Sequence, residues 1–187
     1  MIEFCGRAYV LGDNVNTDYI ISSRRKRDTL DLDILKQFIL EDIRPGFYDQ
    51  LKNKTAILVA GTNFGCGSAM EVAAQILPAN NIHVLLALSF ARSFYRNCIN
   101  NGVLAIETET RTVCEGDILK ITMTNEAIVV SNTTKSNEVI LPPVSPQVHE
   151  LLSAGGLVNY FTRSKTTVEK RAAEVARTDS SKSNSAV

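Results

Sequence analysis

The segment Thr55-Ala56-Ile57-Leu58-Val59-Ala60 is a short unbroken apolar run that passes straight into Gly61 and a glycine-rich turn through Gly65, Cys66 and Gly67. An apolar run of this length without polar alternation reads as a buried strand. Ser68 to Leu77 then has helical character and is stopped by Pro78. Ile82 to Leu88 reads as a second buried strand. Phe90 to Asn100 reads as a further helix capped by Ser89, and Val103 to Ile106 as a third strand after Asn101-Gly102. The order β-α-β-α-β predicts parallel strands joined by right-handed crossovers. The fold class expected is therefore α/β, with this parallel βαβ core between residues 55 and 106.

The flanks differ in character. Residues 4–12 read as a first strand, and Asp13 to Asp18 is a loop rich in turn formers. Residues 31–40 carry apolar side chains at helical spacing, and Pro45-Gly46 breaks the chain. Asp117 to Met123 and Ala127 to Val130 are β-rich and separated at hairpin distance by Thr124-Asn125-Glu126. Gln147 to Ala154 reads as a helix ended by Gly155-Gly156. From about Thr166 the chain turns polar and charged. The division expected is one folded domain over residues 1–165 and a polar, flexible tail over 166–187.

Composition narrows the function. Twenty basic residues balance twenty acidic ones among 187, so there is no cationic surplus for a nucleic-acid backbone. No apolar stretch is long enough to cross a bilayer, and the N-terminus shows no secretory pattern. Cys5, Cys66, Cys98 and Cys114 are far apart with no Cys-x-x-Cys pair, which suits free thiols in a reducing cytoplasm and no metal centre within the chain.

Chemistry concentrates at Asn63 to Glu71. A buried strand entering a glycine-rich turn and then a helix gathers backbone N–H groups around one point, where an anion can sit. In an α/β sheet such a crevice beyond the strand ends is where ligands bind. The segment lacks the lysine of a phosphate-binding P-loop. Ser68-Ala69-Met70-Glu71 also has the form of a capping box, with Ser68 as N-cap and Glu71 three residues on. Arg24-Arg25-Lys26-Arg27 reads locally as a solvated basic loop.

Asn63-Phe64-Gly65-Cys66-Gly67-Ser68 resembles the signature of the aconitase swivelling-domain family, which includes the small subunits of 3-isopropylmalate dehydratase and homoaconitase-type hydro-lyases. Ser89-Phe90-Ala91-Arg92-Ser93-Phe94-Tyr95-Arg96-Asn97 and Asn100-Asn101-Gly102 follow in the family's order. Gly12-Asp13-Asn14-Val15-Asn16-Thr17-Asp18-Tyr19-Ile20-Ile21 is similar to its first motif. Glu115-Gly116-Asp117 and Leu152 to Leu157 match its later landmarks. The matches span roughly residues 6–163.

The resemblance implies a swivelling β/β/α domain and a division of labour. A separate large subunit would carry a [4Fe–4S] cluster, and this chain would bind none. The pair would move a hydroxyl between adjacent carbons of a malate-like acid by dehydration and rehydration. Ser68 would be the base and Asp18 part of the active-site polar network. Arg27 would meet the variable end of the substrate, with Arg24 and Arg25 as competitors, and Gly67 and Ala69 would lie against the substrate. 3-Isopropylmalate, in leucine biosynthesis, is the first substrate implied. Homoaconitate, dimethylmalate, citramalate or a specialised metabolite are alternatives, as is a non-catalytic paralogue. One departure keeps them open: the family reads Gly-Ser-Ser-Arg-Glu-His where this chain reads Gly67-Ser68-Ala69-Met70-Glu71-Val72.

Overall fold

A computed structural model of the chain describes residues 1–52 and 54–163. The tail expected over 166–187 lies outside the described residues. Among the described residues, seven strands form one sheet: β1 (Ile2–Val10), β2 (Ala56–Ala60), β3 (Ile82–Ala87), β4 (Leu104–Glu107), β5 (Ile118–Met123), β6 (Ile128–Asn132) and β7 (Asn137–Leu141). Their spatial order is β4-β3-β2-β1-β5-β6-β7. The pairs β1–β2, β2–β3 and β3–β4 are parallel, so the expected parallel core exists and contains both apolar runs. The pairs β1–β5, β5–β6 and β6–β7 are antiparallel. Strand β1 is the junction of the two halves.

Alternation along the strands explains why the sheet has two cores. Ala56, Leu58 and Ala60 of β2 join Leu85, Ala87 and Ala105 under the helices. Their neighbours Ile57 and Val59 join Val84, Leu86, Leu104 and Ile106 on the opposite face. That face is closed by Leu119, Ile121, Met123, Ile128 and Val130 of the antiparallel half, so the sheet curls over its own apolar surface. A parallel strand covered on both faces has no polar alternation, which is why β2 and β3 read as continuous apolar runs.

The helices include α1 (Thr17–Ile20), α2 (Ser23–Asp28), α3 (Leu32–Leu35), α4 (Phe47–Leu51), α5 (Glu71–Ala79), α6 (Arg92–Asn100) and α7 (Pro146–Ala154), and residues 157–163 are helical as well. Several sequence expectations need correction. The basic run is helix α2, not a loop. Arg and Lys are good helix formers and sit in its last turn, where cations oppose the helix dipole. The helix expected over 31–40 is α3 followed by a 3₁₀ turn, Lys36–Phe38, and the chain then turns at Leu40 with φ +55°. Pro78 does not stop α5 but lies in its last turn, where Asn80 N–H closes the end by donating to the Leu77 carbonyl at 2.9 Å.

The two N-caps inferred from sequence are also displaced. Helix α5 begins at Glu71 with Met70 as N-cap, so Ser68 caps nothing. Helix α6 begins at Arg92 with Ala91 as N-cap, and the Ser89 hydroxyl instead accepts the Asn63 N–H at 2.9 Å. Both serines lie in loops whose backbone is claimed by a neighbouring loop: Phe64 N–H donates to Ser89 O and Ala91 N–H to Phe64 O, each at 2.9 Å.

Candidate functional site

Two loops meet at the carboxyl end of the parallel strands, one after β1 and one after β2. Gly65 N–H donates to the Val15 carbonyl at 2.8 Å, and Thr17 N–H to the Cys66 carbonyl at 2.9 Å. The buried Thr17 hydroxyl donates to the Ser68 carbonyl at 2.8 Å, and Met70 N–H donates to the same oxygen at 2.7 Å. The Ser68 carbonyl is thus fixed from two sides, which orients the residue without using its hydroxyl.

The glycines are required by contact as well as by backbone angle. Gly65 has φ +79°, and a Cβ there would lie 2.1 Å from the Phe94 ring. Gly67 has φ +90°, and a Cβ there would lie 2.4 Å from Asn16 Oδ1. That oxygen caps α1 by accepting the Asp18 N–H at 2.9 Å. Only glycine lets the two loops approach this closely.

Ser68 itself is exposed, and its hydroxyl makes no hydrogen bond among the described residues. It lies two residues before the N-cap of the nine-residue helix α5. A helix N-terminus supplies unsatisfied N–H groups and a positive partial charge. The hydroxyl is therefore free to act on a ligand, and the nearest fixed field favours an anion.

The residues named from sequence occupy unequal positions. Asp18 is half-buried, and its Oδ1 accepts the Ser23 N–H at 3.0 Å, at the first turn of α2. Arg25 is engaged elsewhere: its guanidinium meets the Glu41 carboxylate through two contacts of 2.8 Å and lies 3.9 Å from the Phe38 ring centre. Arg24 is exposed and stands 3.7 Å from Asp42. Arg27 is exposed and makes no ion pair among the described residues. Gly67 and Ala69 flank Ser68 and are exposed with it. Met70 is only 7% exposed and belongs to the core beneath the helices.

Asn16 and Thr17 hold the site together, although the sequence reading gives them no role of their own. A signal for them exists: in the polar Asn-Thr-Asp run before an apolar pair, Asn16 is a ready helix cap, and a buried Thr17 hydroxyl has to be satisfied by another loop. Asp13 has a related role. Its Oδ1 accepts the Thr62 N–H at 2.6 Å and the Thr62 hydroxyl at 3.0 Å, and these bonds hold its carboxyl below the ordinary value.

No group of three or more His, Cys, Asp or Glu residues that could hold a metal ion occurs among the described residues. Cys98 is buried, Cys5 and Cys114 are exposed and Cys66 donates weakly to the Asn14 carbonyl. Among the described residues no helix is long and apolar enough to cross a membrane.

A curled mixed sheet that presents a glycine-rich loop and an unengaged serine beside a second, acidic loop defines the swivelling-domain class. Residues 36–111 match the family model described as the Aconitase C-terminal domain. The chain is 38% identical over 156 residues to the 3-isopropylmalate dehydratase small subunit of Wolinella succinogenes, covering 83% of this chain and 91% of that protein. It is 39% identical over 166 residues to the methanogen homoaconitase small subunit of Methanocaldococcus jannaschii, covering 89% and 95%. The crystal structure of 3-isopropylmalate dehydratase from Methanocaldococcus jannaschii superposes with a TM-score of 0.81 at 37% identity, covering 91% of this chain and 99% of that one. The chain belongs to the aconitase family, among the small subunits of its hydro-lyases.

Proposed function

We propose that this chain, paired with a large subunit that carries a [4Fe–4S] cluster, interconverts 3-isopropylmalate and 2-isopropylmalate by dehydration and rehydration, within leucine biosynthesis in the cytoplasm. The observation that carries the reading is the joined pair of loops, which fixes Ser68 by its carbonyl and leaves its hydroxyl exposed. The cysteines of this chain do not fit an iron–sulfur cluster, so the metal chemistry is assigned to the partner subunit.

The contribution of this chain is proton transfer and recognition. Ser68, as an alkoxide favoured by the N-terminus of α5, takes the proton from the carbon beside a substrate carboxylate as the hydroxyl leaves the adjacent carbon as water, and on rehydration a proton goes to that adjacent carbon while the hydroxyl of water adds to the first. N–H groups at Gly67 and Ala69 face the same carboxylate. Asp18 anchors the start of α2 with one oxygen and keeps the other for the site's polar network. Arg27, an arginine of the basic helix that makes no ion pair among the described residues, meets the variable end of the substrate, where a guanidinium recognises a carboxylate or excludes a mismatched group.

A second reading, a homoaconitase-type substrate, is supported by the 39% identity to the methanogen protein. The test is reconstitution with a cluster-loaded large subunit and assay of 3-isopropylmalate beside homocitrate-type, dimethylmalate and citramalate-type acids. Turnover of 3-isopropylmalate that requires both chains supports the first reading, and turnover of a longer acid alone moves the assignment to the second. An assembled, fully loaded pair inactive on every acid would leave a non-catalytic paralogue.

A further inference from the structure

A second recess lies in the gap where the curled sheet brings its β4 edge opposite the β6–β7 end, and Phe90 on its wall stacks on Phe64 of the glycine-rich loop. Its volume is about 470 Å³, within the range of small-molecule sites. None of Asn16 to Asp18 or Cys66 to Met70 lines it. Its floor is apolar, with Ile106 and Ile128 each 4% exposed and Leu141 half-buried beside them.

The rim is charged in an unusual way. Arg92 and Arg96 stand one turn apart on the same face of α6, and neither makes an ion pair among the described residues. Glu107, the last residue of β4, lines the same recess, and its Oε1 accepts the Phe90 N–H at 3.2 Å. Two cations and one carboxylate therefore share a cavity without pairing with one another. The half-buried Tyr95 adds a phenol whose value burial first and Glu107 second push upward.

We infer that this recess binds a zwitterionic α-amino acid with an aliphatic side chain, its carboxylate on Arg92 and Arg96, its ammonium on Glu107 and its hydrocarbon on the Ile106–Ile128–Leu141 floor. Opposite charges held apart over an apolar floor match a ligand that carries both charges at one end and hydrocarbon at the other. A plain carboxylate would satisfy the arginines but meet repulsion from Glu107. A plain amine would do the reverse. Charge contacts at the edge of a desolvated floor are worth more than in bulk water.

Every residue named for the recess belongs to this chain, so its test on the chain alone is separate from the test of the hydro-lyase reading. The full chain alone is titrated calorimetrically with L-norleucine and with its two truncated forms, hexanoate lacking the ammonium and pentylamine lacking the carboxylate. The expected result is saturable norleucine binding, with both truncated forms weaker by at least about tenfold. The double variant Arg92→Gln/Arg96→Gln abolishes binding. Glu107→Gln, which keeps the acceptor for Phe90 N–H, leaves norleucine no better than hexanoate. Equal binding of hexanoate and norleucine to the unmodified chain, norleucine binding that survives both variants, or no saturation below about 20 mM overturns the inference.

Discussion

The Thr17 hydroxyl donates to the Ser68 carbonyl oxygen at 2.8 Å, joining two loops that are fifty-one residues apart in the chain. Thr17→Val keeps the buried shape and removes this bond. Stability should fall by about 0.5–1.5 kcal/mol. In the complex with a large subunit kcat should fall more than KM rises, because the orientation of Ser68 is lost while the substrate contacts remain. Thr17→Ser should recover most of the rate. Equal loss in the Val and Ser variants would show that the hydroxyl is not the positioning group.

Ser68 caps no helix, so Ser68→Ala should change the unfolding midpoint by no more than a surface substitution does, within about 0.5 kcal/mol. If the hydroxyl is the base, kcat of the reconstituted enzyme should fall by about 10²–10⁴. Denaturation of the isolated chain and turnover of the pair separate the two effects cleanly, because no capping loss is mixed into the stability.

Arg27→Ala should raise KM and shift substrate preference, with the fold intact. Arg25→Gln should do the opposite. It breaks the two-point contact with Glu41 and the stacking on Phe38, so it should lower thermal stability while leaving KM nearly unchanged. A KM effect in Arg25→Gln as large as that in Arg27→Ala would reassign the recognition role to the helix as a whole.

Asp117 predicts the acid limb of stability. It is 5% exposed, and its Oδ2 accepts the Cys114 N–H at 2.9 Å and the Asn132 amide at 2.6 Å, with Lys135 at 3.3 Å. The Cys114 N–H first, then the other partners, hold its carboxyl below the ordinary value despite burial. A carboxyl lowered in the folded state stabilises above its unfolded value, about 3.9. That stability is lost as pH falls through the lower folded value. Asp117→Asn should therefore cost about 1–3 kcal/mol near neutrality. The gap from the unmodified chain should close as denaturation is repeated below about pH 4.

The parallel core was legible because strands covered on both faces are largely apolar: β2 is apolar throughout, β3 is interrupted only by His83 and β4 only by its last residue, Glu107. The hairpin of β5 and β6 was legible from its spacing. Strand β7 was not: Asn137, Glu138, Val139 and Ile140 are all exposed at the sheet edge, so no burial pattern marks them. The short helix α4 was hidden for a different reason, since Gly46 starts it from a left-handed turn with no side-chain cap. At the site, the two motifs were visible but their joining was not. A local pattern assigned Ser68 to a cap, whereas the long-range bond from Thr17 and the turn to Met70 place the helix start later. Sequence comparison alone treats position 70 as an open site position. The structure puts Met70 in the core, so an arginine there would have to bury a charge or leave its place.

Strand β1 pairs with β2 on one edge and β5 on the other, which gives the molecule an unusual order of assembly. As the chain leaves the ribosome, β1 emerges before either of the two strands it must end between. It waits with both edges unpaired until residues 56–60 and then 118–123 have emerged. Pairing at such sequence separation is slow, and open strand edges invite wrong partners in the interval. Residues 2–10 are thus where a destabilising change should show itself first as poor folding yield in the cell, before any loss appears in the properties of the protein that does fold.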